Sequence, residues 1–321
     1  MKKLMSSVAG LLAAALLGAA SVSPSHAATT AYVSGGGSDA NACTLAAPCR
    51  SIGHALGFVA GNGGTVTCLD EGPYTEGFSI NYSYTVDCRG VVYVNTGFTG
   101  FAFNLSNTNN GSHQQVTFRH VLFDGAAGGG GAVTASGGAR VVFEDCTFQN
   151  FTASPGMAIQ FSPTAAGAHL TVTDSVFANN GVAAGGAGIV IQPSGGTAGV
   201  VVERTQVTGN TYGIVANGTS GTVLVEIRYS SVSNSAIDGI WAVTGGSVSS
   251  IVVEHSASLQ NGGNGINALG SSGFVSLSDS TVAWNATGVT ASGGGLIPSY
   301  KNNIIAGNLS PGVAPTGFGL Q

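Results

Sequence analysis

The residues best placed to do chemistry in this chain are charged side chains that recur at one position of a sequence repeat. The repeat is about 26 residues long, and the position is predicted to face outward from a strand. Repeats stacked as neighbouring strands would bring carboxylates on adjacent repeats about 5 Å apart, and on alternate repeats about 10 Å apart. These values bracket the separations, roughly 5–5.5 and 6.5–9.5 Å, used by retaining and inverting glycoside hydrolases. The outward stripe consists of Glu144, Thr173, Glu203, Glu226 or Arg228, and Glu254.

The stripe has two interpretations. Stacked carboxylates raise the pKa of one member, as a general acid requires. Glu203, Glu226 and Glu254 would then be acid and base candidates, and Arg228 a substrate-binding or charge-stabilising partner. The alternative is structural, because alternating Glu and Arg side chains also solvate a flat sheet and oppose its self-association.

Two further sets of residues follow from the same counting. Trp241 has outward parity after Gly239 and Ile240, and its counterparts on other repeats are predicted to be Gln160, Val190, Val215, Asn267 and Thr290. Its indole could stack on a sugar ring, or it could be a partly covered surface residue.

A second column of residues lies three positions before the apolar residue, or anchor, that marks each repeat. The side chains of this column are expected to cap a turn; catalysis is the alternative. This column contains Asp145, Asp174, Arg204, Asp279 and, after a slip of one residue, His255.

The repeat itself is an apolar residue followed two or three positions later by Asn. The anchors are 23 to 30 residues apart, with a mean of 26. Strand-like alternation such as Val200-x-Val202 precedes each anchor, and a second short strand such as Ile189–Ile191 follows the clearer ones. The pairs are Phe148/Asn150, Phe177/Asn180, Val207/Asn210, Val232/Asn234, Leu259/Asn261, Val282/Asn285 and Ile305/Asn308.

The sequence has short strands and glycine-rich corners, and no amphipathic helical pattern lies between the strands. These features indicate an all-β fold, a parallel β-helix of eight or more coils. Inward residues would stack from coil to coil, and the Asn side chains would form an amide ladder. Ser51 is predicted to cap a short helix whose Ile52, Ala55, Leu56 and Val59 share one face. We expect an N-terminal cap over residues 28–65, the β-helix over 66–310 and a C-terminal tail over 311–321.

The first 27 residues have the form of a signal peptide. Lys2 and Lys3 precede an apolar run over residues 8–20, and Ser25-His26-Ala27 forms a small-x-small cleavage site. Cleavage after Ala27 would place the protein outside the cytoplasm, secreted or periplasmic. No later apolar run is long enough to span a membrane.

Four of the five cysteines are expected to form disulfides if the protein is exported, because an oxidising compartment allows cysteines to pair. Four cysteines permit three connectivities. Cys43–Cys49 and Cys68–Cys88 are favoured since each closes a short loop, although the sequence alone does not decide. Cys146 is left over, either as a small buried side chain or as a reactive thiol, and a reactive thiol needs an electropositive setting.

Composition excludes several classes of function. Charged residues are only 7% of the chain, with nine basic and 14 acidic side chains, whereas hydrophobic residues are 43%. Disorder would need low hydrophobicity, and nucleic-acid binding would need clustered Lys and Arg. No metal-ligand or cofactor-binding motif is present, so neither a metal nor a cofactor is predicted.

The N-terminal text resembles the cap of secreted bacterial right-handed parallel β-helix proteins of the pectin-lyase-like superfamily. The resemblance implies right-handed coils along the whole mature chain. It implies no single activity, since the superfamily includes pectate lyases, polygalacturonases, adhesins and epimerases. The residues concerned are Ala31-Tyr32-Val33-Ser34, Gly37-Ser38-Asp39-Ala40-Asn41, Ala47-Pro48-Cys49-Arg50-Ser51-Ile52 and Gly63-Gly64-Thr65-Val66 through Gly72-Pro73-Tyr74.

Two classes of function are therefore expected. One is a secreted protein that interacts with polysaccharide or cell-envelope glycan, with a lyase or hydrolase as its catalytic form. The other is a structural or adhesive surface protein. The low charge favours a non-catalytic role, and the acidic balance disfavours polyuronate ligands, which it would repel. The oligomeric state is left open.

Overall fold

The computed structural model describes residues 29–59, 62–74, 77–93, 100–106, 115–125, 128–182 and 185–317. The predicted signal peptide, residues 1–27, lies outside the described residues. Within them, the chain winds into a parallel β-helix whose typical coil has a long, a short and a back strand. In one coil these are Thr197–Glu203, Gln206–Thr208 and Tyr212–Asn217.

Among the described residues, long and short strands together form one parallel sheet of 19 strands. Its long strands are Thr30–Val33, Asn62–Cys68, Ser83–Tyr93, Gln115–Asp124, Arg140–Glu144, Ala168–Thr173, Thr197–Glu203, Thr222–Arg228, Ser249–Glu254, Gly273–Ser278, Pro298–Ser299 and Thr316–Gly317. Its short strands are Thr147–Gln149, Val176–Ala178, Gln206–Thr208, Ser231–Ser233, Ala257–Leu259, Thr281–Ala283 and Ile304–Ala306.

In the part of the chain that the structure describes, the back sheet has ten strands, one from each successive coil, and so confirms a β-helix of eight or more coils. These strands are Phe78–Ile80, Phe101–Ser106, Gly131–Gly137, Met157–Pro163, Ala187–Ile191, Tyr212–Asn217, Ile240–Val243, Asn264–Leu269, Thr287–Ser292 and Ser310–Gly312.

The core is built from columns of inward side chains, as the alternation predicts. On the long strands, Val200 and Val202 are buried while Val201 and Glu203 between and beyond them are not. On the short strands, the rings of Phe148 and Phe177 stack with centroids 4.5 Å apart. Because equivalent residues of adjacent coils pair in register, each inward side chain packs on its counterpart.

The amide ladder is present, but its spacing is stricter than predicted. In the described coils, the ladder residue follows its inward anchor by three positions, as Asn180 follows Phe177 and Asn285 follows Val282. Ser258, not Leu259, is the inward residue of its strand, since it pairs with Val232 and Val282. Likewise Ser235, not Asn234, occupies the ladder, where its backbone N–H donates to Asn261 Oδ1 at 2.9 Å. The Asn150 position is also displaced, because the ladder residue in that coil is Phe151, whose N–H donates to Asn180 Oδ1 at 3.2 Å.

The corner between long and short strands is made by a left-handed residue in coil after coil. Tyr229 has a φ of 51° and Arg204 a φ of 46° there, and both side chains point into solvent. The column predicted to cap this turn therefore lies at the corner, but the next residue makes the turn's hydrogen bonds. Thr205 Oγ1, for example, donates to Glu203 O at 2.9 Å and accepts the N–H of Ser175 at 3.4 Å. The column is His120, Asp145, Asp174, Arg204, Tyr229, His255, Asp279 and Lys301.

Both ends of the β-helix were anticipated in part. A helix spans Ile52–Leu56, and Ser51 Oγ accepts the N–H of His54 at 3.2 Å, which confirms the predicted N-cap. Ile52, Ala55, Leu56 and Val59 are buried, and the helix packs on the first two long strands. At the other end, strands Ser310–Gly312 and Thr316–Gly317 pair with earlier coils, so the β-helix runs past residue 310.

The structure contains the favoured disulfides, Cys43–Cys49 and Cys68–Cys88. Cys146 is free and only 1% exposed. It takes the place of the corner hydroxyl in its coil, with its Sγ 3.4 Å from Glu144 O. Burial raises the pKa of this thiol to about 12. The buried interpretation of Cys146 is thereby confirmed.

We expect Cys146 in the folded protein to react with a disulfide reagent at least about 1000-fold more slowly at pH 8 than in denaturant, because its thiolate is suppressed. Its folded pKa exceeds its unfolded value, so the thiol stabilises the fold fully below pH 9, and that stabilisation is lost as pH rises toward 12. Thiol titration with and without urea measures the first effect. Rapid labelling of the folded protein would contradict the burial.

Candidate functional site

A shallow open groove follows the corner between the long and short strands over four successive coils. We call it the corner groove; its volume is about 640 Å³. Left-handed corner residues form one side, and outward side chains of the short strands form the other. It is lined by Arg204, Gln206, Tyr229, Ser231, His255, Asp279 and Thr281, together with Thr205, Ser230, Ser256 and Ala257.

Two exposed aromatic rings stack on each other in the corner groove. Tyr229 and His255 occupy equivalent corners of adjacent coils, and their ring centroids are 5.0 Å apart with 26° between the planes. Tyr229 is 57% exposed, so a large part of its ring surface is open to a ligand. Stacked rings of this kind give a rigid contact surface at low entropic cost.

Charged side chains beside the groove form a paired network. Arg204 donates through Nε and Nη2 to the two carboxylate oxygens of Asp174, at 2.7 and 2.9 Å, and also contacts Glu203. The hydrogen bond to Asp174 raises the pKa of Arg204, and the same contact lowers the pKa of Asp174. Arg204 is therefore held by carboxylates on two sides.

Three of the four predicted catalytic residues come together in this network. Arg228 Nη2 lies 2.9 Å from Glu203 Oε2, and Arg228 Nη1 lies 2.9 Å from Glu226 Oε1. These bonds, the one to Glu203 above all, raise the pKa of Arg228. Both oxygens of Glu203 are thus engaged by guanidinium groups, and its side chain is only 16% exposed.

The strand register settles which residue belongs to the stripe. Glu203 pairs with Arg228, which pairs with Glu254, so Glu226 lies in the neighbouring row beside Val201 and Val252. Glu203 and Glu254 are two coils apart, about 10 Å. The ionic neighbour of Glu254 is His255, whose Nδ1 lies 3.9 Å from Oε1.

Trp241 lies elsewhere. It is on the back sheet, and its register partners there are Val215 and Asn267, as counted from the sequence. Its ring stacks on Tyr212 with centroids 5.4 Å apart, and its indole N–H is buried without a hydrogen-bond partner among the described residues. The structure does not bring Trp241 to the stripe, which lies on the long strands.

The counting missed Tyr229, the aromatic residue at the centre of the corner groove. Tyr229 lies three residues before Val232, the same spacing as Asp174 before Phe177, so the signal was present. The sequence repeat does not show that residues at a left-handed corner turn outward and line a groove.

The site's donors suit a ligand rich in hydroxyl groups. Amide and hydroxyl groups stand at three of the four equivalent positions of the short strands, Gln206, Ser231 and Thr281, and Ala257 occupies the fourth. Within the described residues, the one compact group of metal-ligand atoms joins His54 to Cys43 and Cys49, whose sulfurs are in a disulfide. No helix of the described chain is long and apolar enough to cross a membrane.

Comparison with known proteins bears on the fold. A family model described as "Right handed beta helix region" matches residues 71–226. Among solved structures, the crystal structure of pectate lyase Pel9A matches at 17% identity and a TM-score of 0.42, covering 91% of this chain and 80% of that chain. No curated protein matches the sequence. The family match accords with the stacked coils and with the expected right-handed winding.

Proposed function

We propose that this right-handed parallel β-helix protein binds a polysaccharide along its corner groove. The observation that carries the proposal is the exposed Tyr229–His255 ring pair in a groove also lined by amide and hydroxyl groups. Ring faces pack against the apolar faces of sugars, and the polar groups form hydrogen bonds with the sugar hydroxyls. Ligand sites usually combine apolar contacts with a few polar groups in this way.

The repeat of the fold favours a polymer over a single sugar. Groove-lining side chains come from equivalent positions of successive coils, about 4.8 Å apart along the β-helix axis, and the groove covers four coils. An extended polysaccharide lying parallel to that axis meets a ring or a polar side chain on each coil that it crosses. Binding of several sugar residues then accumulates affinity from individually weak contacts.

Cell-surface or extracellular glycan is the setting in which we propose that the protein works. The signal peptide expected over residues 1–27 and the two disulfides favour an oxidising compartment. A structural or adhesive role at the surface is compatible with the same binding site, because anchoring to glycan needs no catalysis.

Catalysis by Glu203, Glu226, Arg228 and Glu254 is the alternative. Of the three carboxylates, Glu254 is the best placed to meet a ligand, because its ionic neighbour is His255 and it has no arginine contact among the described residues. Release of reducing ends or unsaturated uronides, lost in Glu203→Gln, Glu226→Gln or Glu254→Gln, would establish an enzyme.

We expect Tyr229→Ala to weaken polysaccharide binding at least about tenfold, because the variant removes the central aromatic contact. The measurement is affinity electrophoresis of purified protein against a panel of soluble polysaccharides, followed by titration calorimetry with the tightest.

Trp284→Ala is the matched control. Trp284 is an exposed aromatic at a left-handed corner, with a φ of 60°, outside the corner groove. Its loss should leave affinity unchanged. Trp241→Ala tests the other predicted residue; if it abolishes binding while Tyr229→Ala does not, the site lies on the back sheet and the proposal is wrong.

A further inference from the structure

The basic groups near the corner groove are already committed to carboxylates. Among the described residues that line it, Arg204 is the single Arg or Lys, and it is bonded to Asp174 and Glu203. Arg228, in the adjoining row, is bonded to Glu203 and Glu226. An anionic ligand would have to break these pairs before a guanidinium group could meet it.

Two carboxylates without a guanidinium partner in the described structure lie at the other end of the groove, Asp279 in its lining and Glu254 beside it. Asp279 Oδ2 lies 3.6 Å from His255 Nε2, and Glu254 lies on the opposite side of the same imidazole. Their side chains are 50% and 43% exposed. Three carboxylates lie on two arginines at one end, and two carboxylates flank His255 at the other. Carboxylates therefore outnumber Arg and Lys side chains in and beside the groove, even when Lys301 at the next corner is counted.

This charge arrangement selects among polysaccharides. Uronic acid polymers carry a carboxylate on each residue, so a chain lying along four coils would set several negative charges beside Asp279 and Glu254. Like charges brought together in this way are repelled. Uncharged sugars incur no such penalty, and they find donors and acceptors in Gln206, Ser231 and Thr281.

We infer that the ligand of the corner groove is an uncharged polysaccharide and that the groove excludes polyuronates. The inference rests on the proposed function, since it specifies the ligand of the same site. It assigns a specificity role to Glu254 and Asp279, which set the electrostatic potential of the groove.

The test compares affinities for uncharged polymers (xylan, mixed-linkage β-glucan and galactomannan) with that for polygalacturonate. Titrations are done at low salt in EDTA and repeated with added calcium. We expect the best uncharged polymer to bind at least about tenfold more tightly than polygalacturonate. This ratio of affinities should fall as added salt screens the repulsion between polygalacturonate and the groove. The double variant Glu254→Gln/Asp279→Asn should raise polygalacturonate affinity relative to the uncharged polymer by about tenfold.

Glu144→Gln is the matched control, because Glu144 belongs to the same outward stripe but lies two coils before the first coil of the groove, paired with Arg119 at 2.5 Å. It should leave the affinity ratio unchanged. Wild-type binding of polygalacturonate as tight as that of the best uncharged polymer, with or without calcium, would overturn the inference but keep the proposed function. An unchanged ratio in the double variant would also overturn it. Binding to none of the polymers would refute the proposed function itself, and the inference with it.

Discussion

Replacing Phe148 with alanine should lower the free energy of unfolding by about 4 kcal/mol. Phe148 is fully buried, with the Phe123 ring stacked on one face at 4.6 Å and the Phe177 ring on the other at 4.5 Å. Phe143 meets it edge-on at 5.1 Å. Rings held on both faces by neighbouring coils cannot collapse into the space, so the cavity stays open. Urea unfolding followed by circular dichroism measures the loss.

Phe58→Ala is the control for this prediction. Phe58 is 38% exposed at the N-terminal cap, so its removal should change stability by less than about 1 kcal/mol. A loss below about 2 kcal/mol for Phe148→Ala would show that the aromatic column does not hold adjacent coils together.

The fold was predictable because its two periodicities are both visible in the chain. Alternation of two along a strand identified inward residues such as Val200 and Val202, and the longer repeat aligned the coils. The same counting placed Trp241 beside Val215 and Asn267, which the register confirms. The handedness came from the resemblance at the cap and has no signature in composition.

The predicted amide ladder is wrong by one residue in some coils, because two neighbouring columns of the coil both favour Asn. The position two after the inward anchor is left-handed, which Asn tolerates better than most residues, and the position three after it is the amide ladder. Asn234 occupies the first and Asn210 the second. Asn therefore marks both, and sequence alone does not separate them when one coil has Asn at only one of the two.

The site was less predictable than the fold, because it depends on side-chain direction at the corner. The stripe of Glu203 and Arg228 follows from strand parity, but their pairing requires the register of adjacent coils. A left-handed corner breaks the parity, so Tyr229 and His255 turn outward although alternation would bury them. The corner groove exists because the fold makes this turn in the same way in successive coils. The side chains that line the groove differ from coil to coil, whereas the Ser and Thr residues beneath them hold the backbone of the turn. Binding sites need a rigid support of this kind.

Asn285→Ala should lower the free energy of unfolding by about 3 kcal/mol, because it leaves several buried polar groups unsatisfied. Asn285 is fully buried. Its Oδ1 accepts the backbone N–H and the side-chain N–H of Asn261, at 2.9 and 2.8 Å. Its Nδ2 donates to Asn308 Oδ1 at 2.9 Å and to Ser258 O at 3.1 Å. Chemical unfolding of the variant beside the wild type gives the difference.

Two further variants separate the hydrogen bonds of the ladder from its packing. Asn285→Leu refills most of the volume without restoring any hydrogen bond, so it should be as unstable as Asn285→Ala. Asn234→Gly removes an exposed Asn from a left-handed corner, with a φ of 53°, and should stay within about 0.5 kcal/mol of the wild type. If Asn285→Leu recovered wild-type stability, the ladder would be a packing column, and amide hydrogen bonding would not be what holds successive coils in register at this corner.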